Sequence, residues 1–540
     1  MKKNNFITGT FITTICIIIT KILGAIYVIP FYAIIGNTGG ALYGYAYTIY
    51  MFFMSLSSAG IPLAISRVVS EYQTLGYVKA KKRTFKLVKK IILIFSFICF
   101  LIVFGFAPLF AKGIVGNIVG ASTIKDITFV IRVIAFAILI VPILSVYRGY
   151  FEGHRYMEQP SISQIIEQLV RILIVIIGSY LALKIFKLKV RYAVGIALFG
   201  VSVGAICSYL YLLIKLNKNK SKFNRRLIRV NEPIVSDKVI MKKIAFYALP
   251  FILIDLFKSL YNYIDMFEVV KGLVRVKFTA LDAEEVYSIL STWGAKFNMI
   301  ILAISSAIIV NLVPNLTENI VKKNNKKIES DIIKALNIIL FIGIPLTLGI
   351  SFLAKPIWYL FYGDSLYGAN ILSYYIFVGL FISLATITTT ILQCFKDYKD
   401  MTIGLFIGAV LKLFLNLNLL VAFNKMSLPP YYGVITATII GYFTTFIYNL
   451  IILNKRYHIK YESVIKNFFN VMVISIIMII ILFLLEFLIP IYFTKRFINI
   501  FIILVYSIVG IIIYFYFSYK TGLLSNNYLK KFINIIKKMI

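Results

Sequence analysis

Runs of about twenty apolar residues recur from one end of this 540-residue chain to the other. A helix rises about 1.5 Å per residue, so each run matches a hydrocarbon core of about 30 Å. Within a bilayer the backbone must satisfy its own hydrogen bonds, which leaves helices or a closed barrel. Barrel strands alternate polar and apolar residues, and these runs do not. With 60% hydrophobic and 14% charged residues, the composition excludes an ordinary soluble domain and a disordered chain. The expected fold is an all-α polytopic membrane protein of about fourteen transmembrane helices. They are placed near 6–36, 42–66, 91–111, 126–147, 163–184, 191–215, 244–266, 288–314, 332–354, 368–391, 402–424, 432–454, 467–488 and 497–518.

A net charge of +36 would suggest nucleic acid in a soluble protein. In a membrane protein its distribution matters more, because cytoplasmic loops collect Lys and Arg. With both termini in the cytoplasm, 39 of the 57 Lys and Arg fall inside, 13 outside and five within spans. That bias predicts a multi-pass membrane protein with both termini cytoplasmic, anionic lipids as partners and no nucleic acid.

Two segment pairs suggest an internal repeat. LSSAGIPLAIS (56–66) is echoed by ISSAIIVNLVPNLT (304–317), and FEGHRYM (151–157) by FKDYKDM (395–401). The same order and near-equal spacing predict two related six-helix lobes, the arrangement on which transporters often build a ligand site. The expected divisions are an N-lobe at 1–215, a basic linker at 216–240, a C-lobe at 241–466, a helical hairpin at 467–520 and a basic tail at 521–540.

The chain shows no Gly-rich phosphate loop, G-x-S-x-G, H-E-x-x-H or Cys-x-x-Cys. Cys16, Cys99, Cys207 and Cys394 lack metal-ligand spacing, and there are two histidines. Neither an enzyme nor a metal site is expected. Charges inside the apolar runs are the sharper signal. Lys21 interrupts CIIITKILGAIYVIP, where a cation costs at least about 2.5 kcal/mol. Arg132, Lys258 and Lys296 are also embedded, as is Lys412. Such a set, with few acids near it, suits an anionic ligand. Asp255 either pairs with Lys258 at i, i+3 or joins Asp265 as a candidate ion or gating group. Tyr43, Tyr47 and Tyr50 share one helical face, as a wet wall suited to sugars or as aromatic packing. Gly24, Pro30, Gly60 and Pro62 are candidate hinges. Glu167 and Arg171 have the spacing of a favourable i, i+4 pair, and the acidic group Asp282, Glu284 and Glu285 reads as a solvated turn.

GTFITTICIIITKILGAIYVIPFYAIIG, GGALYGYAYTIY, LSSAGIPLAISRVVSEY and GYFEGHRYMEQPSISQIIEQLVR resemble the polysaccharide-biosynthesis and flippase branch of the multidrug/oligosaccharidyl-lipid/polysaccharide superfamily. The similarity is to its MurJ-like lipid II flippases and to the stage V sporulation protein B group. The resemblance implies two six-helix lobes in a V, with a terminal hairpin whose groove takes a long lipid tail. It implies a cationic cavity for the diphosphate and sugars of an undecaprenyl-linked precursor, moved from the inner to the outer leaflet by alternating access. A coupling ion, the membrane potential or both would drive the movement, with no other cofactor. Lys21 matches the family's basic residue before Leu-Gly, Arg67 a basic position ending the second helix, and Lys296 lies within a residue of a cation in the eighth. The implied partners are a lipid-linked oligosaccharide and the cell-wall synthesis machinery. Other lipid-linked polysaccharide units, a role in the spore cortex, and multidrug or cation antiport are the alternatives.

Overall fold

The computed structural model describes residues 26–116, 118, 122–224, 232–492 and 495–523, together with Cys16, Ile19, Thr20, Leu23 and Gly24. Among these, every regular element is helical. Twelve helical segments are long and apolar enough to cross a membrane, and the chain is a multi-pass membrane protein. Of the fourteen spans read from sequence, the first lies mostly ahead of the described residues. The seventh falls in Asp237–Arg275, which is not one of the twelve.

The described chain divides into two compact units, Met1–Trp293 and Gly294–Ile540. The first holds α1 (Val28–Ser57), α2 (Ile61–Thr74), α3 (Val78–Gly105), α4 (Ala107–Val115), α5 (Ile124–Gly153), α6 (Glu158–Leu173), α7 (Val190–Lys218), α8 (Asp237–Arg275) and α9 (Ala280–Ser288). Helix α6 continues as π-helical turns to Ile185, and α9 as one to Trp293. Helix α1 packs on α5, α7, α8 and α9, so α8 and α9 belong by packing with the helices before the 216–240 segment. The second unit holds α10 (Ala295–Val321), α11 (Asn325–Phe352), α12 (Ala354–Tyr362), α13 (Gly368–Cys394), α14 (Tyr398–Lys425), α15 (Pro430–Tyr457), α16 (Glu462–Glu486) and α17 (Arg496–Lys520).

Side chains close several helix starts. Thr123 and Asp126 form a capping box on α5, and Ser236, Thr279 and Asn324 each accept from a backbone N–H one turn on. Glu232 accepts from Ala80 N at 2.6 Å, and Arg83 meets Asp237 at 2.5 Å, tying the start of α8 to that of α3.

The internal repeat is visible in the helices. Helices α3 and α11 are both 28 residues long, and each is followed by a nine-residue helix, α4 or α12. The turns after α5 and α13 also match. Arg155 and Lys396 both take positive φ (64° and 62°), while Tyr156 N donates to Phe151 O and Asp397 N to Leu392 O. The break between α1 and α2 is not repeated. Gly60 takes φ 70° there, with Pro62 just inside α2, whereas the second copy has Ile308 and α10 runs on unbroken. A β-branched residue resists the left-handed conformation that glycine adopts freely.

Gly24 and Pro30 lie on either side of a turn at Tyr27 that precedes α1. Pro30 sits in the first turn of α1, where its missing N–H leaves no bond unmade. The non-helical residue inside α1 is Gly36, with φ 63° and ψ −164°.

Candidate functional site

In the first unit, Tyr43, Tyr47 and Tyr50 line one face of α1. Tyr43 and Tyr47 stack with centroids 5.5 Å apart, and Tyr50 lies 5.5 Å further on. Arg171 of α6 meets this face. Its Nη2 donates to Tyr43 Oη at 2.7 Å, and its guanidinium lies over the Tyr47 ring at 5.4 Å. Its Nε is shielded and has no hydrogen-bond partner among the described residues. Arg171 lies near the middle of the helical run Glu158–Ile185, deeper than a loop-end cation.

The expected Glu167–Arg171 pair does not form. Glu167 instead accepts from Arg148 Nη2 at 2.6 Å, with the pair 22% and 14% exposed. Arg148 also donates to Ser163 at 2.9 Å and Ser208 at 3.1 Å, so α5, α6 and α7 converge on it. Adjacent turns allow a pair, but the guanidinium of Arg148 reaches the carboxylate from another helix through one short charge-assisted hydrogen bond. Among the described residues no carboxylate salt-bridges Arg171.

Beside the tyrosine face the packing is dense. Gly40 lets the buried Trp293 approach so closely that a Cβ there would lie 2.3 Å from Nε1, and a Cβ at Gly44 would lie 2.3 Å from Ser291 Oγ. Thr292 Oγ1 donates to Gly40 O at 3.1 Å, and Phe31 packs edge-on against both Tyr43 and Trp293. The acidic group in α9 is not a solvated turn. Asp282 caps the helix through Thr279, while Glu284 is 2% exposed and accepts from Ser122 N at 3.1 Å and Ser122 Oγ at 3.0 Å. Helical periodicity turns Glu284 inward beside Tyr45 and Tyr287, which stack at 4.5 Å.

The embedded cations take separate places. Lys21 lies outside the described residues. Arg67 is exposed and lies over the Tyr247 ring at 5.4 Å, between α2 and α8. Arg132 is exposed among apolar rings; it lies 5.3 Å over Phe104 and reaches its carbonyl at 3.4 Å. That carbonyl is in the last turn of α3, where helix acceptors lack an internal partner. Lys258 is half-exposed and Asp255 exposed, and they form no ion pair among the described residues. Asp265 is half-buried. None of Arg67, Arg132 or Lys258 touches the tyrosine face among the described residues. In the second unit Lys296 is half-buried in the first turn of α10. Among the described residues no group of three or more His, Cys, Asp or Glu could hold a metal ion.

Lys412 of the second unit is 0% exposed and donates to Asn416 Oδ1 at 2.8 Å, Thr438 Oγ1 at 2.6 Å and Val434 O at 3.3 Å. These neutral acceptors join α14 to α15. Thr438→Val removes one at constant shape, with an expected loss of about 1.5–3 kcal/mol. A lowered midpoint of thermal unfolding in detergent, partly recovered by adding Lys412→Met, checks this.

The second unit also carries an apolar groove of about 320 Å³ between α11, α16 and α17. Its walls include Pro345, Leu346 and Gly349 of α11, Met478 of α16, and Gly510 and Tyr514 of α17. Tyr514 Oη donates to Phe341 O at 2.8 Å, which keeps the phenol satisfied beside an otherwise apolar surface.

Sequence reasoning missed Arg171 as a member of the tyrosine face. The available signal was the length of the run after Pro160, which places Arg171 well inside a span.

The family model described as polysaccharide biosynthesis protein matches residues 6–277. The lipid II flippase MurJ of Bacillus subtilis (strain 168) is 33% identical over 482 residues, covering 88% of this chain and 87% of that protein. Stage V sporulation protein B of the same organism is 28% identical over 221 residues, 41% of each chain. Among solved structures, a lipid II flippase MurJ in an inward closed conformation superposes with a TM-score of 0.69 at 16% identity, covering 95% of this chain and 99% of that one. An inward-facing multidrug resistance MATE family transporter of the MOP superfamily superposes at 0.63 with 14% identity, covering 83% and 95%. At these identities the structures show a shared fold.

Proposed function

The chain belongs to the polysaccharide biosynthesis protein family, and from that premise we propose that it is a flippase for an undecaprenyl-diphosphate-linked cell-wall precursor, with lipid II as the substrate. It carries the headgroup from the inner to the outer leaflet of a bacterial cytoplasmic membrane by alternating access, without chemical conversion. Both termini face the cytoplasm, and a coupling ion or the membrane potential drives the cycle.

One observation carries this reading: the chain offers both chemistries that a lipid-linked sugar diphosphate requires. Arg171 and the phenols of Tyr43, Tyr47 and Tyr50 suit a charged, hydroxyl-rich headgroup. The groove of α11, α16 and α17 suits an isoprenoid chain. In this reading Arg171 joins Lys21 as a headgroup contact of the first unit. A cation antiporter would be served poorly by an embedded guanidinium without a paired carboxylate.

The test uses the full chain in proteoliposomes loaded with lipid II. The headgroup is followed as it becomes accessible to a membrane-impermeant modifying enzyme. The expected result is chain-dependent, saturable exposure of the inner pool. Exposure no faster than in empty vesicles overturns the reading.

A further inference from the structure

A second cleft in the Gly294–Ile540 unit opens between α10 and α11, with about 380 Å³ between its walls. Asn311 and Asn315 of α10 face Lys334, Ile338 and Ile342 of α11 across it. Asn315 and Lys334 are exposed, and no ion pair or hydrogen bond of the Lys334 ammonium occurs among the described residues. Asn311 donates one amide hydrogen to Ala307 O at 3.1 Å, which leaves it a second. Asp331 also borders the cleft, where one of its oxygens accepts from Asn319 at 2.7 Å.

Ile342 borders both this cleft and the apolar groove. Lys334, Ile338, Ile342, Leu346 and Gly349 recur every three or four residues, so they form one stripe along α11. From Lys334 to Gly349 the stripe is about 22 Å long at helical rise. One end is cationic, about two turns from Lys326 and Lys327 at the start of α11. The other ends in the groove.

We propose that this stripe is a lane for a single polyisoprenyl phosphate, with the phosphate at Lys334, Asn311 and Asn315 and the chain passing Ile338 and Ile342 into the groove. The inference rests on the flippase reading and adds a phosphate subsite built by the second unit alone. Charge complementarity selects an anionic head, since the accessible ammonium and amide hydrogens are donors. A single row of apolar residues selects one chain over the two of a phospholipid.

The probes are undecaprenyl phosphate, the neutral alcohol undecaprenol and phosphatidylglycerol, each added to the detergent-purified full chain and followed by native mass spectrometry. Wild type is expected to retain the phosphate over the alcohol. Lys334→Ala should lower retention of the phosphate at least about tenfold, to the level of the alcohol. A Cβ at Gly349 would meet no heavy atom within 4 Å, so the side chain of Gly349→Phe starts in open space at the wall of the groove. It should lower retention of both lipids. Equal retention of phosphate and alcohol by wild type, or no effect of Lys334→Ala, overturns the head subsite. Displacement of undecaprenyl phosphate by equimolar phosphatidylglycerol overturns the single-chain assignment. These probes carry no sugar and the readout involves no transport, so failure here is distinct from failure of the lipid II assay.

Discussion

Arg171→Ala is expected to reduce lipid II flipping on the order of tenfold to a hundredfold while the protein still reaches the membrane. A charge-assisted contact is worth about 1.5–3 kcal/mol, and each 1.36 kcal/mol or so is a factor of about ten in rate. Removing a guanidinium from mid-span also lowers the cost of insertion, so lost activity would not reflect lost assembly. Arg171→Lys should recover only part of the rate. Lysine keeps the charge but lacks the planar fork that holds Tyr43 and would leave a second edge for the proposed phosphate. Initial flipping rates in proteoliposomes, normalised to the amount of inserted protein, decide the matter. A wild-type rate for Arg171→Ala would remove the tyrosine face from the headgroup site.

Arg148→Leu should destabilise the first unit strongly. It leaves Glu167 as a largely buried carboxylate without its 2.6 Å partner, and breaking such a pair typically costs about 3–5 kcal/mol. Ser163 and Ser208 lose the same donor. A second consequence follows from sequence spacing. Released from Arg148, Glu167 lies one turn from Arg171 and can neutralise it. Transport should therefore fall further than stability alone requires. Adding Glu167→Gln removes the orphan charge, so the double variant should regain most of the thermal midpoint and, with Arg171 free of a carboxylate, part of the flipping rate. If Arg148→Leu unfolds at the wild-type temperature, the pair contributes little to holding α5 and α6 together.

Much of the architecture was legible because membrane burial writes itself into local sequence. Apolar runs marked the helices, Gly60 and Pro62 marked a break, and a spacing of three and four residues put Tyr43, Tyr47 and Tyr50 on one face. The partners of charged groups were not legible. Glu167 looked committed to Arg171 by proximity along the chain, yet its partner comes from α5. Arg132 gave no sign of its neighbour along the chain, yet it lies over Phe104 and reaches that residue's carbonyl in the last turn of α3. Glu284 looked solvated in an acidic run, yet it is buried against Ser122.

The sequence by itself determined an all-helical membrane protein, its approximate spans and its internal repeat, because hydropathy and helical period act over neighbouring residues. Only the tertiary structure decided that Arg171 meets the tyrosine face, that Glu167 is held by Arg148, that Lys412 is satisfied by neutral oxygens, and that α11 forms one wall of an apolar groove with α16 and α17. Those outcomes depend on which helices become neighbours. A buried charge is satisfied by whatever group the packing brings within about 3 Å, and that distance is not encoded in separation along the chain.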